Sequence, residues 1–294
     1  MKKIFLFLVA LVCAVTTNLF ATEGALNGEF TVNANGLRVQ FSQGNLQYNA
    51  YYDYWELAVH QYDYIGASNH DISSSYEGMI DLFGWGTSGY NGKEPYMTST
   101  TATDYGNPDN DGKSNIAGTK YDWGAMVEAD IPGKWRTLTY EEWDYLFNTR
   151  ANATQLRGQA TVEGKHGYIL LPDNWTTPSS LSFTAMPNNW TSNNYSTISW
   201  AMMEAAGAIF LPCAGIRING HIISLLDSEG YYWSSTADGK NNAYMVEITE
   251  TTAVVSPTLR QHGFAVRLVR DVPKYKVTLN VKQWNSEFEQ GGTV

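Results

Sequence analysis

Hydrophobic and polar positions alternate over most of the chain at the spacing of short strands, interrupted twice by helical spacing. Between 28 and 72, Phe30-Thr31-Val32, then Leu37 to Tyr48 (LRVQFSQGNLQY), then Tyr54 to Ala58 read as β, with Asn and Gly as punctuation. The stretch 84–118 is rich in Gly, Ser, Thr, Asn and Tyr and has little periodicity, so it predicts a long ordered loop region, a feature that usually carries function. Thr139-Tyr140-Glu141-Glu142 has the spacing of a capping box, with Trp143, Leu146 and Phe147 on one face of the helix it opens. A second helix is predicted over Ile198 to Ala206, carrying Trp200, Met202 and Met203 and stopping at Gly207. Short β segments return over 208–212, 222–226, 231–233, 243–248, 253–256 and 264–269. Few helices, many short strands and long loops predict an α+β fold. No internal repeat or Pro-rich linker divides 28–272, which is expected to form one domain.

The two ends read differently. Lys2-Lys3 followed by Ile4 to Val15 is a charged region and an apolar run too short to cross a bilayer, and Ala21 offers a small residue for cleavage, so residues 1–21 are expected to be a secretion signal. A lipid anchor on Cys13 is disfavoured because Val12 before it is not small. No later stretch has the length of a membrane span, and the expected location is periplasmic, cell-surface or extracellular. Near the other end, Lys274 to Val281 (KYKVTLNV) alternates like a strand. Residues 274–294 read either as the start of a Gly-rich C-terminal β repeat or as a frayed tail.

Composition narrows the function classes. The chain of 294 residues is 43% hydrophobic and only 16% charged, which excludes disorder and coiled coil. Its net charge is −10, or −12 once Lys2 and Lys3 leave with the signal, which argues against binding a nucleic-acid backbone. Of the two cysteines, Cys13 leaves with the signal. Cys213 then has no intramolecular disulfide partner and no second thiolate for a zinc site. Ten Trp, 19 Tyr and 11 Phe must put many rings at the surface, and exposed Tyr and Trp beside Asn and Ser suit recognition of carbohydrate or protein.

Gly84-Trp85-Gly86-Thr87-Ser88-Gly89 matches GxGxxG, but Tyr90-Asn91-Gly92-Lys93-Glu94-Pro95 cannot start the helix that a dinucleotide site requires. Asn107, Asp109 and Asp111 with Gly112 fall at positions 1, 3, 5 and 6 of a calcium loop, whose position 12 is Gly118 in place of a bidentate acid. A solvated Asx-rich turn is the preferred reading there, with calcium as the alternative cofactor. The five histidines are scattered, no GxSxG elbow occurs, and the sequons at Asn152, Asn174, Asn189 and Asn194 matter only in a eukaryotic secretory route.

Trp135-Arg136-Thr137-Leu138-Thr139 with Glu142-Trp143 resembles the signature of the formylglycine-generating (sulfatase-modifying) enzyme group. The run FLPCAGIRINGHI from Phe210, then Gly230 to Thr236, Asn242-Ala243-Tyr244 and Gly263 to Arg267 are similar to the Fibrobacter succinogenes major paralogous domain. Gln40 to Tyr48 and Ile80 to Tyr90 resemble stretches in exported proteins of Bacteroidetes. The resemblance implies a C-type-lectin-like fold, with early and late strands side by side and a rigid scaffold carrying long loops. Trp135, Trp143, Trp233 and Arg267 are assigned to that scaffold, and Gly230 and Gly263 to backbone geometry. For the enzyme group the resemblance also implies a copper site made by two cysteines, which Cys213 alone cannot supply.

The expected function is therefore non-catalytic recognition or adhesion outside the cell, with a glycan or protein ligand. The expected binding residues are Trp190, Asn193, Asn194, Asn219, His221, Tyr231, Asn241, Asn242 and Tyr244. A protein-modifying enzyme lacking the copper pair is one alternative. Another is a binding protein diversified by a retroelement near Tyr232 to Tyr244.

Overall fold

A computed structural model describes residues 24–70, 72–106, 115–127 and 134–273. The expected signal, the C-terminal segment 274–294 and the calcium-loop residues Asn107, Asp109 and Asp111 lie outside the described residues.

The strands in chain order are β1 (Phe30–Thr31), β2 (Arg38–Phe41), β3 (Leu46–Asn49), β4 (Tyr54–Leu57) and β5 (Met79–Ile80). After the loop region and helix α1 (Tyr140–Asp144) come β6 (Arg157–Val162), β7 (Lys165–Leu170), β8 (Asn194–Tyr195), helix α2 (Thr197–Ala205) and β9 (Ile209–Pro212). The remaining strands are β10 (Ile216–Ile218), β11 (Ile222–Ser224), β12 (Gly230–Asp238), β13 (Asn242–Ile248), β14 (Ala253–Leu259) and β15 (Val269–Asp271). They form small sheets ordered β1-β2-β15, β4-β3-β5, β8-β6-β7-β9, β10-β11 and β12-β13-β14, antiparallel throughout except where β6 meets β8. The fold class is α+β.

Helix α1 begins, and helix α2 ends, as the sequence predicts. The Thr139 hydroxyl accepts from the Glu142 N–H at 3.2 Å and the Glu142 carboxylate accepts from the Thr139 N–H at 3.0 Å, completing the capping box. Trp143, Leu146 and Phe147 are fully buried, the last two on a π-helical turn that extends α1. Helix α2 ends in a Schellman motif: the N–H of Gly207, at φ 99°, donates to Glu204 O, and that of Ala208 donates to Met203 O. Only Trp200 and Met203 of α2 are buried; Ile198 and Met202 face solvent.

Two strand expectations change. Leu37 to Tyr48 is divided between β2 and β3 by a turn, in which a side chain on Gly44 would meet Ala58 O at 2.3 Å. Phe264 to Val269 is regular only from Val269 onward, because the segment serves several partners in turn. Gly263 bridges Arg217, Phe264 bridges Phe83, Ala265 bridges Tyr232, and Val269 pairs with Phe41 of β2. All six residues from Phe264 to Val269 are buried, so this segment threads the junction between sheets. The adjacency of early and late strands is present in the β2/β15 pairing.

The β6/β7 hairpin is an element that hydrophobic alternation alone did not reveal. Its turn is Glu163-Gly164, both left-handed at φ 50° and 72°, the primed-turn geometry that matches strand twist. Gly167 in β7 lies against Phe210 and Leu211 O, where a Cβ would come within 2.4–2.5 Å of both, so the strand carries no side chain at its closest approach to β9.

Candidate functional site

The residues assigned to the scaffold are in it. Trp135, Trp143 and Trp233 are fully buried, and the Trp233 indole donates to Phe83 O at 2.7 Å. Arg267 is buried without a carboxylate partner among the described residues. Its guanidinium donates to Ser42 O at 3.1 Å, Gln61 O at 3.3 Å, Phe210 O at 2.7 Å and Asn45 Oδ1 at 3.1 Å, joining three segments to the buried 264–269 stretch. Burial lowers its pKa to about 10. Gly263 permits a close approach: a Cβ there would sit 2.8 Å from Arg217 Cβ and Nε. Cys213 is fully buried in the same core as Tyr232 and Phe41, and burial pushes its thiol pKa up, away from thiolate chemistry.

The nine expected binding residues divide among separate sheets, and among the described residues no hydrogen bond or ring contact joins one group to another. Three of them require correction, because their side chains are used inside the fold. Trp190 is 7% exposed and stacks on the His166 ring at 5.2 Å with an interplanar angle of 11°. Asn193 is 3% exposed; its Oδ1 accepts from Thr184 N at 2.7 Å and its Nδ2 donates to Gln159 O and Thr184 O, which ties the 184–193 loop to β6. Tyr231 is 8% exposed, lies flat on Phe264 at 4.9 Å and gives its hydroxyl proton to Glu229.

The other six reach solvent in three places. Asn194 is exposed on β8. Asn219 is left-handed at φ 48° in the β10/β11 turn, and His221 in the same turn meets His70 O through Nδ1 at 3.2 Å. Asn241 and Asn242 end the β12/β13 turn, where their carbonyls accept from Arg260 N and Nε. Tyr244 is half-buried against Tyr140, ring centroids 4.2 Å apart.

A different concave surface lies in the long loop region. A cavity of about 380 Å³ is lined by Gly89, Tyr90, Asn91, Lys120, Ala125 and Met126. Its volume is within the range of small-ligand sites. Tyr90 is 41% exposed, and Met126 is 38% exposed. The Lys120 ammonium stands 5.1 Å from the Tyr90 ring centroid. Tyr121 meets Tyr90 edge-on at 5.1 Å, and its hydroxyl accepts from Asn91 Nδ2 at 3.1 Å.

This surface is held from below by short-range chemistry. The loop that presents Tyr90 closes on itself through Gly89 N–H to Lys93 O and Lys93 N–H to Tyr90 O, with Gly89, Asn91 and Gly92 all left-handed. Buried Ser88 donates to Lys120 O at 2.6 Å, joining the two loops that contribute Tyr90 and Lys120 to the lining. Asp122, fully buried, accepts from Gly118 N at 2.9 Å, Gly124 N at 3.2 Å, Thr137 N at 2.9 Å and Thr137 Oγ1 at 2.7 Å. Burial holds its carboxyl above the usual aspartate range, and those hydrogen bonds pull in the other direction. Buried Trp123 anchors the one-turn 3₁₀ helix Trp123–Ala125 that supplies Ala125, and Met126 follows it directly.

The glycines of the rejected nucleotide motif serve this packing. A Cβ on Gly86 would sit 2.7 Å from Gly106 Cα, and one on Gly84 would enter the Tyr105 ring. The segment after Gly89 forms a single 3₁₀ turn, Tyr90–Gly92, in place of a helix. Tyr90, Asn91, Lys120 and Met126 were not among the expected binding residues. Their visible signal was a tyrosine beside Asn-Gly inside the aperiodic stretch, which locates a turn but not a cavity.

A second exposed aromatic group is the β3/β4 turn. Tyr51, Tyr52 and Tyr54 are 54%, 63% and 41% exposed. Tyr51 and Tyr52 meet edge-on at 4.8 Å, and Asp53 is left-handed at φ 53° and accepts from the Tyr48 hydroxyl. Among the described residues no group of three His, Cys, Asp or Glu side chains is arranged to hold a metal ion, and no helix is long and apolar enough to cross a membrane. No curated protein and no solved structure matches the chain. Residues 182–269, from before β8 to the first residue of β15, are similar to a family described as a domain of unknown function (DUF8237).

Proposed function

We propose that the chain is an exported recognition or adhesion protein of C-type-lectin-like architecture that binds a glycan at its loop surface. The observation that carries this reading is the Tyr90 cavity: an exposed aromatic ring, an amide, an ammonium and a thioether side chain on loops pinned by buried polar groups. An aromatic ring takes the apolar face of a sugar, while the Asn91 amide offers hydrogen bonds to its oxygens. Rigid support keeps the ordering cost of binding small. The fold reading is supported by the β2/β15 pairing, two short helices and a long loop region between β5 and α1. Export is supported by the charged and apolar pattern of residues 1–21.

The test is a glycan screen of the chain from residue 22 onward, with Tyr90→Ala beside it. Binding that is lost in Tyr90→Ala while the melting temperature is retained is the expected result. Glycan binding that survives Tyr90→Ala but is lost in Tyr244→Ala would move the site to the β12/β13 turn. No glycan bound by the unmodified chain would refute the reading.

A further inference from the structure

On the basis of the glycan-binding reading, we infer that the Tyr90 cavity takes an acidic sugar, a hexuronic acid residue of an oligosaccharide, with its carboxylate at the Lys120 ammonium. Three observations converge on this class of ligand. First, Ala125, Met126 and the Tyr90 ring give the cavity an apolar lining that suits the C–H face of a pyranose ring. Second, Lys120 is exposed and no carboxylate pairs with it among the described residues; its ammonium rests over the Tyr90 ring, a weak contact that a carboxylate can replace without leaving a buried charge. In a chain of net charge −10, an unpaired lysine at the rim of an apolar cavity is a local complement to an anion. Third, the position of Lys120 is set by its own backbone: its carbonyl accepts from buried Ser88, and Asp122 two residues on fixes the turn. The cation-bearing side chain therefore starts from a fixed backbone position beside the ring.

The Asn91 amide donates one hydrogen to the Tyr121 hydroxyl at 3.1 Å, leaving a second amide hydrogen for a sugar hydroxyl beside the carboxylate. A neutral sugar would use the ring and this amide alone. An acidic one would add the ammonium, and the gain should weaken with salt because the pair is exposed.

The test is calorimetric titration of the chain from residue 22 with oligogalacturonate and oligoglucuronate, each beside its fully methyl-esterified form, at low and at physiological salt. The unmodified protein should bind the free acids at least tenfold more tightly than the esters, with the difference shrinking as salt rises. Lys120→Met should abolish that difference by weakening binding of the free acids, whereas Tyr90→Ala should remove binding to both forms. Both positions are exposed, so unchanged melting curves should confirm that neither variant is misfolded. Equal affinity for acids and esters, or an undiminished preference in Lys120→Met, would overturn the acidic-sugar inference while leaving glycan binding intact. Failure to bind any of the four oligosaccharides overturns it as well. Glycan binding itself then stands or falls on the neutral members of the glycan screen.

Discussion

Replacing Asp122 by alanine tests whether one buried carboxylate organises the loop surface. The carboxylate accepts four hydrogen bonds, two on each oxygen: Thr137 Oγ1 and Gly124 N on Oδ1, Gly118 N and Thr137 N on Oδ2. In Asp122→Ala the Thr137 hydroxyl can rotate to another acceptor, but three backbone N–H groups lose theirs, at about 1–3 kcal/mol each. Relief of the buried charge offsets part of this loss, leaving a net cost of about 4 kcal/mol. For a domain of this size that is a fall in melting temperature of roughly 8–16 °C.

Asp122→Asn separates hydrogen bonding from mere occupancy of space. An amide oxygen in the Oδ2 position keeps Gly118 N and Thr137 N, and the amide NH₂ donates to Thr137 Oγ1, so only the long contact to Gly124 N is lost. Its cost should be about 1–2 kcal/mol. Because burial raises the folded carboxyl pKa, the unmodified protein binds this proton more tightly folded than unfolded. Its stability relative to Asp122→Asn should therefore be greatest below the ordinary aspartate pKa and fall as pH rises through the folded value. Urea unfolding of the three proteins at several pH values reads all of this. A cost below about 1 kcal/mol for the alanine variant, or equal costs for both, would refute the reasoning.

The remaining predictions concern single positions. Asp81, fully buried, has its pKa raised from 3.8 to about 6 by desolvation, so it should lose about 3 kcal/mol of relative stability as pH rises from about 4 to 6. Stability curves of Asp81→Asn and the unmodified protein that stay parallel across that window would contradict this assignment. Trp190→Ala should cost about 3–5 kcal/mol in urea unfolding by removing a buried ring stacked on His166, and a neutral result would put the ring back at the surface. Arg267→Ala should cost more than about 3 kcal/mol, since four acceptors and a side-chain volume are left empty at the sheet junction; retention of the native melting temperature would show that the junction closes without it. Calcium should leave the melting temperature unchanged if Asn107 to Asp111 is a solvated turn, and an upward shift saturating with calcium would reverse that reading.

Much of the scaffold was legible because its signals are local. A capping box at Thr139–Glu142 and a glycine at 207 declare helix ends within a few residues, and alternation declares β13. The β6/β7 hairpin was not legible: its turn is Glu-Gly rather than Asn-Gly, and β7 is buried on both faces, so Gly167 to Leu170 lacks alternation. The candidate surface was legible least. Composition correctly indicates that tyrosines must reach the surface, but whether a given ring does so depends on partners distant in sequence. Tyr231 and Phe264 are 33 positions apart and stack, and Trp190 and His166 do the same across 24.

From its own order of residues the chain determined an α+β class, the start of α1 and the end of α2, an acidic charge balance and Cys213 as the single cysteine after residue 21. Tertiary structure alone decided that Phe264 to Val269 joins several sheets, that Trp190, Asn193 and Tyr231 turn inward, and that Tyr90 and Lys120 share a cavity. The division has a physical basis. Caps, turns and alternation are set by interactions within a few residues, whereas burial of a ring or convergence of a ring and a cation depends on which distant segments close over it.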